Sequence, residues 1–369
     1  MPRTTPASDG NRIRRLMSIR ELDAAAWNRL HGGNPALDWH FLAALEQTAA
    51  RPEYGWLAAH LVIEVNGAPA AAAPAWLKAH SHGDFVYDWH WAHAARRSGF
   101  DWYPKLVCEV PYTPLAGPRL LAAPGAETLL PALAAALGET AERDGLATVQ
   151  VNFAAPADHA PLATAGFLHR RDDVLFRWIR PAGDDPVGGF ESYLMALQPH
   201  RRKTIRQERR RLAAAGIACR WLPAAAAGPA EHALVAACQN RTFQRYGNLP
   251  LLPAAFFSAA AESPAQALWY CLAERHGQPC AAAVFLKSDD TLYGRYWGML
   301  DDIPLLHFEL CYYQGIEFCL QHGLAAFEPG VLGEHKRRRG FQLVPTWSYH
   351  YFPDRRLRRA AAAWIADER

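Results

Sequence analysis

The residues best suited to do chemistry lie close together near the end of the chain, between Gly323 and His350. This segment holds two acids, a histidine, a lysine and an arginine run in a loop that ends at Gly340-Phe341: Glu328, Glu334, His335, Lys336 and Arg339. Acyl transfer to an amine needs a base for the amine proton and a donor for the developing oxyanion. Glu334 or His335 suits the base, and Lys336 and Arg339 suit the binding of a carboxylate or phosphate.

A fourth candidate for catalysis follows on the next predicted strand. His350 alternates there with Trp347, Tyr349 and Tyr351, and it could face the same cleft as that loop. We predict Glu328, Glu334, His335 and His350 as catalytic residues. A solvated basic loop would have the same composition, so the prediction depends on the concentration of reactive groups and not on any one of them.

The order of predicted elements around this loop occurs twice in the chain. Amphipathic patterns over 127–144 and 305–322 each end at a glycine, which is typical of helix ends. A strand, a short helical loop and a Gly-Phe pair follow each glycine. Upstream, strands joined by 66–69 and 276–279, each a Gly-x-Pro turn, indicate hairpins. The chain therefore predicts an α/β fold in which one unit is written twice.

A length of 369 residues is typical of two domains. We place the first domain at 1–180, with an insertion at 80–104, and a Pro-, Gly- and Asp-rich linker at 181–189. The second domain, 190–369, begins with a basic helix.

Composition limits the class of protein. A net charge of +3 leaves only local sites for nucleic acid or phosphate. We find neither a secretory signal nor an apolar run long enough to span a bilayer. The seven cysteines occur singly, without the paired spacing of a zinc site, which indicates a reduced, cytoplasmic protein with no metal.

A second polar and aromatic segment lies at 80–93. Its histidines and Asp84 could serve as metal ligands, and the segment could also be a packed insertion. We favour an acceptor pocket in which acids recognise a cationic or hydroxylated group beside an aromatic wall. The residues assigned to it are Asp84, Asp88, Trp89, Tyr103 and Lys105.

Two helix faces complete the candidates. Glu309, Tyr313 and Glu317 share one face of the helix before the reactive loop, either as its wet side or as substrate-binding residues. A basic helix over 200–212 is suited to phosphate, with a solvated surface helix as the alternative. Its predicted contacts are Arg201, Arg202, Lys203, Arg206, Arg209 and Arg210.

The order of these elements resembles a known family. The strand, helix, strand and Gly-Phe ending is similar to the GNAT acyltransferase fold, and two such units resemble the Fem-type aminoacyltransferases. The chain looks most like the FemAB-like N-acyltransferases of peptidoglycan biosynthesis or recognition. The motifs that carry this resemblance are HSHGDFVYDWHWA (80–92), YPKLVCEVPYTPLAGPRLL (103–121), HRRKTIRQERRR (200–211), LHFELCYYQGIEFCLQHGL (306–324) and EPGVLGEHKRRRGF (328–341).

The resemblance implies two tandem GNAT-like domains that transfer an acyl or aminoacyl group to an amine. It implies acyl-CoA or aminoacyl-tRNA as donor, with tRNA and a lipid-linked cell-wall precursor among the candidate partners. The turns at 114–119 and 298–304 depart from the usual Gly-rich pyrophosphate loop, and the second carries Asp301 and Asp302. A non-catalytic recognition protein and an RNA-binding module are the alternative functions.

Overall fold

The structure is a computed structural model that describes residues 5–6, 11–86, 88–181, 189–247, 252–330 and 333–367. Within these ranges, the side chains at positions 5, 6, 172, 173 and 334 lie outside the description. The chain divides into two compact units. The first consists of Met1–Asp173 and Pro345–Arg369, and the second of Val174–Val344.

The strands of both units alternate with helices along most of the chain. In chain order the strands are β1 (Thr5–Pro6), β2 (Asn11–Leu16), β3 (Trp56–Ala58), β4 (His60–Val65), β5 (Ala68–Ala73), β6 (Ala75–Lys78), β7 (Lys105–Cys108), β8 (Leu121–Ala122), β9 (Val149–Val151), β10 (Leu168–Ile179), β11 (Ile217–Pro223), β12 (Leu268–Arg275), β13 (Gln278–Lys287), β14 (Thr291–Met299), β15 (Ala326–Glu328) and β16 (Gln342–Tyr351).

The α-helices are α1 (Ala24–Asn28), α2 (Trp39–Thr48), α3 (Trp89–Arg97), α4 (Leu130–Asp144), α5 (His159–Thr164), α6 (Gly189–Met195), α7 (Pro199–Ala214), α8 (Pro229–Arg245), α9 (Ala254–Ala260), α10 (Leu306–Phe308), α11 (Gln314–Gln321) and α12 (Arg355–Asp367). A π-helix, Glu309–Tyr313, joins α10 to α11, and a 3₁₀-helix covers Glu334–Arg339. None of the helices in the described ranges is both long and apolar enough to cross a membrane.

The first unit contains two sheets. One has the strand order β1-β2-β4-β5-β8. In the other, β3-β6-β7-β9 is continued by the end of β16, where Tyr349 pairs with Val151. Strands β7 and β9 are parallel, and α4 connects them along the chain. The helix buries Leu133 and Leu137 in the core that also contains Leu106 and Val149, which fixes the parallel pair against it.

The second unit repeats this plan around one sheet. Its order is β11-β12-β13-β14-β15, continued by the end of β10, where Trp178 pairs with Phe327. Strands β14 and β15 are parallel, and the helical segment α10 to α11 connects them. Ile316 and Phe318 of α11 share a core with Phe285 and Phe327 of the sheet.

The two units confirm the duplicated α/β plan that the sequence predicts. Both hairpins form, as β4–β5 and β12–β13. Each connecting helix stops at a glycine in the left-handed region, Gly145 with φ 66° and Gly323 after it with φ 70°. A side chain would be strained at that φ, which is why glycine ends both helices.

The domain boundaries predicted from the sequence differ from those of the structure at the last strand of each repeat. The limits 1–180 and 190–369 assign Pro345–Arg369 to the second domain, whereas its contacts assign it to the first unit, and Val174–Ile179 belongs to the second. The physical reason is strand pairing: Tyr349 of β16 pairs with β9, and Trp178 of β10 pairs with β15.

Candidate active site

The two parallel strands of the second unit, β14 and β15, stay paired over only a short length. Strand β15 pairs with β14 only from Thr291 to Tyr293, and it ends at Glu328, while β14 continues to Met299. Gly294 lies against the chain beyond β15, because a Cβ there would come within 3.3 Å of the Pro329 Cα. The chain then turns away into the reactive loop, so functional side chains collect at the carboxyl end of the sheet, where α/β sites form.

The 3₁₀-helix Glu334–Arg339 positions the reactive loop. It ends at Gly340, and it presents His335 half-exposed while Lys336 and Arg339 are buried. Val331, Leu332 and the side chain of Glu334 lie outside the described part of the structure. The role of Glu334 therefore stays a prediction.

Three aromatic side chains form a chain of polar contacts beside this loop. The Nε2 of His335 lies 2.8 Å from the hydroxyl of Tyr312, and that hydroxyl lies 3.5 Å from the Nε2 of His307. The His307 ring packs 4.4 Å from Trp297 of β14, which places the group beside the extended part of that strand. Tyr312 belongs to the π-helix, a type of turn that often occurs at functional sites.

Burial keeps this group neutral. It lowers the pKa of His335, helped by Arg339 and Lys336, and lowers the pKa of His307 to about 4. It raises the pKa of Tyr312, so the phenol keeps its proton. With Nε2–H of His335 donating to Tyr312, Nδ1 is left as the acceptor of an uncharged imidazole. This arrangement suits a general base at neutral pH.

Lys336 is the buried cation of the loop. Its Nζ donates to the Gly330 carbonyl at 2.8 Å and lies 5.2 Å from the Phe176 ring centroid. Burial lowers the pKa of Lys336 to about 8. At neutral pH the ammonium remains the main form, so it can hold an anionic group of a substrate only as a partly desolvated point charge.

Arg339 is engaged within the protein. Its guanidinium donates to Tyr313 at 2.8 Å and to Glu208 at 3.3 Å, and it stacks on Phe308 at 3.8 Å. Tyr313 itself donates to Glu208. These contacts give Arg339 and Tyr313 a positioning role for the loop, and their predicted substrate contacts remain untested.

The two acids of the same helical segment pair with the basic helix. Arg209 of α7 lies 3.0 Å from Glu309 and 2.8 Å from Glu317, and Glu309 also accepts from Gln314 at 2.9 Å. Glu309 is buried, so its charge needs this partner. The inner face of α7 is therefore a packing surface, formed by Glu208 and Arg209.

Because of this pairing, we expect Arg209 to contribute more to stability than its neighbours on α7. We expect Arg209→Met to lower the free energy of unfolding by about 3 kcal/mol, because it leaves the buried Glu309 without a cation. Arg210→Met, at an exposed position, should change it by less than about 0.5 kcal/mol. Urea unfolding followed by circular dichroism measures both. Equal effects of the two substitutions would contradict the assignment.

The remaining cations of α7 are more open. Arg206 pairs with Glu191 at 2.5 Å, and Arg202 donates to the Met195 carbonyl at 3.4 Å. Lys203 and Arg210 are exposed, and Arg201 is half-buried. A face for phosphate thus remains on this helix, without Arg209.

Glu328 is also held by an internal ion pair. Arg177 of β10 donates to its Oε1, from Nε at 2.8 Å. Burial nevertheless raises the pKa of Glu328, and Arg177 opposes that rise. The carboxyl lies where the pairing of β14 and β15 ends, and it is bound to its own partner.

The predicted acceptor pocket of the first unit is a buried ion cluster. Lys105 lies 2.7 Å from both Asp84 and Asp88, and Lys78 lies 3.3 Å from Asp84. Ser81 bonds to the Tyr103 hydroxyl at 2.8 Å. Of the residues predicted for the pocket, only Trp89 is well exposed, at 42%. The two lysines and two aspartates balance, and the cluster is a part of the core.

A fifth charge-bearing side chain adjoins this cluster. Glu109 follows β7, is buried, and accepts from Asn152 at 2.7 Å. Burial and the nearby Asp84 raise the pKa of Glu109 well above its ordinary value. The raised pKa favours the neutral carboxyl of Glu109, which is the form that preserves the charge balance.

The chain itself fills the corresponding parting of β7 and β9. Gly117 forms a bridge with Ala154 and donates to the Phe153 carbonyl at 3.0 Å. The buried guanidinium of Arg119 donates to the carbonyls of Asn152 at 2.8 Å and Gly117 at 3.2 Å, and also to that of Leu115. Arg119 thus binds the carbonyls of Leu115 and Gly117 within the 114–119 turn.

His350 lies in the first unit. It is fully buried, bonds to Ser348 at 2.7 Å through Nε2, and packs 4.8 Å from the Trp91 ring. Burial and Arg170 lower the pKa of His350 to about 3. Its surroundings are those of a core histidine, and its predicted catalytic role has no support from these contacts.

The buried histidines predict acid sensitivity. His350 and His307 are neutral when folded, whereas an unfolded histidine titrates near pH 6.5. Stability present above pH 6.5 is therefore lost as the pH falls toward 4, by about 3 kcal/mol for each. Urea unfolding at pH 7 and pH 4 measures how far the free energy of unfolding falls between the two. That fall should be smaller by about 3 kcal/mol in His350→Phe than in the wild type. His93→Phe, at an exposed position, is the control, and an unchanged loss in His350→Phe would contradict the prediction.

Comparison with known proteins places this geometry in a family. The FemAB-like family model, described as peptidoglycan biosynthesis/recognition, matches residues 18–369. The chain belongs to the FemAB-like family. No curated protein matches the sequence.

Solved structures agree on the fold. A crystal structure of FemX superposes with a TM-score of 0.57 at 11% identity, covering 94% of this chain and 98% of FemX. The C-terminal domain of a putative lysylphosphatidylglycerol synthetase from Agrobacterium fabrum gives 0.56 at 10% identity, covering 95% and 96%. The L-PGS structure from Bacillus licheniformis gives 0.53 at 10%, covering 89% and 90%. These likenesses confirm the predicted fold, two tandem GNAT-like domains in the Fem-type arrangement.

Sequence reasoning missed several members of the candidate site. In the sequence, Tyr312 has the spacing of a helix core residue and His307 lies near the predicted helix start. Glu208 is a lone acid in a basic run, and Arg177 is part of a predicted strand. One signal was available: Glu208 and Arg209 are adjacent opposite charges in a helix otherwise rich in arginine. Among the described residues, no group of three or more histidine, cysteine or acidic side chains is placed to hold a metal ion.

Proposed function

We propose that this protein is an N-acyltransferase of the second unit, with His335 as general base and an amine as acceptor. The observation that carries the proposal is the neutral imidazole of His335, held by Tyr312 beside the parting of β14 and β15. Membership of the FemAB-like family supports the reaction class, and cell-wall precursors are the acceptors that the family description suggests.

The chemistry needs one proton transfer in each direction. The acceptor nitrogen attacks the donor carbonyl and forms the new amide bond, while His335 takes its proton. The bond to the donor's leaving oxygen or sulfur then breaks, and that atom receives the proton. His335 ends the cycle neutral, and Tyr312 with His307 holds the ring in one tautomer throughout.

We propose aminoacyl-tRNA as the donor, with acyl-CoA as the alternative. Support comes from the open cations of α7 and from the exposed acids Asp301 and Asp302 at the turn where a pyrophosphate would bind in other GNAT-like domains. Asp302 pairs there with Arg245 at 2.9 Å. Both donors are cytoplasmic molecules, and we propose that compartment for the reaction.

The deciding experiment offers the protein a panel of charged tRNAs and, separately, acyl-CoAs, each with amine acceptors. Mass spectrometry detects the amide. Product with a charged tRNA supports the full proposal, and product with acyl-CoA alone corrects the donor. Absence of product with either class would favour a non-catalytic recognition protein. If a tRNA is the donor, its affinity should fall steeply with added salt.

Ala substitutions of Glu334, His335 and His350, one at a time, test the site within the same assay. We expect the His335 variant alone to lose the reaction while remaining folded. If each of the three single variants remains active, the catalytic site lies elsewhere.

A further inference from the structure

A groove of about 540 Å³ opens on the first unit between α3 and α12, and none of the residues of the proposed site lines it. Its floor is aromatic, formed by Trp91, Trp102 and Phe352, and its walls include Ala94, Ala360 and Trp364. A volume in this range, about 300–1,000 Å³, is typical of small-ligand pockets. The apolar lining fits a hydrocarbon chain.

The two helices that border the groove are rich in arginine. Helices α3 and α12 carry six arginines and one aspartate along their lengths: Arg96, Arg97, Arg355, Arg356, Arg358, Arg359 and Asp367. Arg356 lines the groove, lies over Phe100 at 4.5 Å and pairs with Asp354 at 2.9 Å, while Arg358 donates to the Gly166 carbonyl. Arg96, Arg97, Arg355 and Arg359 are exposed.

Helix α12 carries most of this positive charge. Its arginines are concentrated at the start, and Trp364 and Ile365 follow on the side that packs inward. Trp89 at the start of α3 adds an aromatic side chain that is 42% exposed. Basic residues next to apolar and tryptophan side chains favour binding at the surface of an anionic bilayer.

We propose that the α3–α12 face docks the protein on an anionic membrane, with one lipid acyl chain in the groove and lipid phosphates on its arginines. This surface shares no residue with the proposed acyl-transfer site, and it would hold the enzyme at a bilayer without a membrane-spanning helix. Charge complementarity decides for a bilayer over a second copy of this chain, because two such arginine-rich faces would repel.

Vesicle co-sedimentation of the full chain tests the proposal. Vesicles of phosphatidylcholine with one third phosphatidylglycerol should bind the protein, and pure phosphatidylcholine should bind it far less. The triple variant Arg97→Glu, Arg355→Glu, Arg359→Glu should lose about a hundredfold in affinity for the anionic vesicles. The matched control Arg29→Glu, Arg51→Glu, Arg275→Glu carries the same charge change at exposed positions away from α3, α12 and α7 and should stay near the wild-type value.

The groove itself is tested by Ala360→Trp, which fills it from an exposed helix position without changing charge. We expect weaker vesicle binding by this variant and, in the wild type, quenching of tryptophan fluorescence by brominated acyl chains. Equal loss in the two triple variants would overturn the proposal in favour of net charge. Normal binding by Ala360→Trp, or wild-type protein that dimerises instead of binding vesicles, would also overturn it.

Discussion

Replacing Lys105 by methionine should lower the free energy of unfolding by about 3–5 kcal/mol. The substitution leaves Asp84 and Asp88, both buried, with Lys78 as their nearest cation, at 3.3 Å from Asp84 only. Burial alone would raise the pKa of Asp88, but Lys105 outweighs it, and the pKa lies below the ordinary value. Without the ammonium, that carboxylate must take a proton or remain charged in the core.

Glu109→Gln is the matched control for the same cluster. Because burial raises the pKa of Glu109 and so favours its neutral form, the amide of glutamine resembles that form, and its oxygen can still accept from Asn152. We expect a change of less than about 1 kcal/mol. Urea unfolding followed by tryptophan fluorescence compares the two. A Lys105→Met cost no larger than that of Glu109→Gln would show that the cluster is not the balanced ion group described above.

The second large effect concerns the proposed base. His335→Ala should lower kcat/KM for acyl transfer by about 10²–10⁴-fold, the usual contribution of a general base, with little change in KM. Tyr312→Phe keeps the ring and removes the hydroxyl, so it should lower kcat by a smaller factor. His93→Ala, at an exposed position of the other unit, should keep wild-type rates.

The pH profile separates this role from a structural one. Since the pKa of His335 is lowered, the base is unprotonated at neutral pH, and the acid limb of kcat/KM should lie below pH 6.5. Tyr312→Phe changes the surroundings of the imidazole, so the limb should move. A limb that stays in place in Tyr312→Phe, or persists in His335→Ala, would assign the titrating group to another residue.

The sequence predicts regular elements well because their signals are local. Apolar spacing and the final glycines define both connecting helices, and the Gly-x-Pro turns define both hairpins. Partners distant along the chain are invisible to such patterns. Asp84 and Asp88 look like an open acidic pocket until Lys105 and Gln150 are seen beside them. Likewise, nothing in an arginine run distinguishes Arg209, which is paired, from Arg210, which is exposed.

The reactive loop shows the same limit in the candidate site. His335 and Lys336 stand out by residue type, but the neutrality of the imidazole depends on burial and on Tyr312. The sequence also does not show how the two pairs of parallel strands, β7–β9 and β14–β15, differ where their pairing ends. Arg119 fills the first of these places through contacts that only the folded chain makes.

The exchange of last strands has a consequence for synthesis on the ribosome. The unit Val174–Val344 is continuous in the chain, whereas the other waits for Pro345–Arg369 to supply the strand beside β9. Translation therefore delivers a complete second unit while the first, though made earlier, still lacks α12 and the strand that pairs with β9. The N-terminal part of the chain would need protection from aggregation until Pro345–Arg369 emerges.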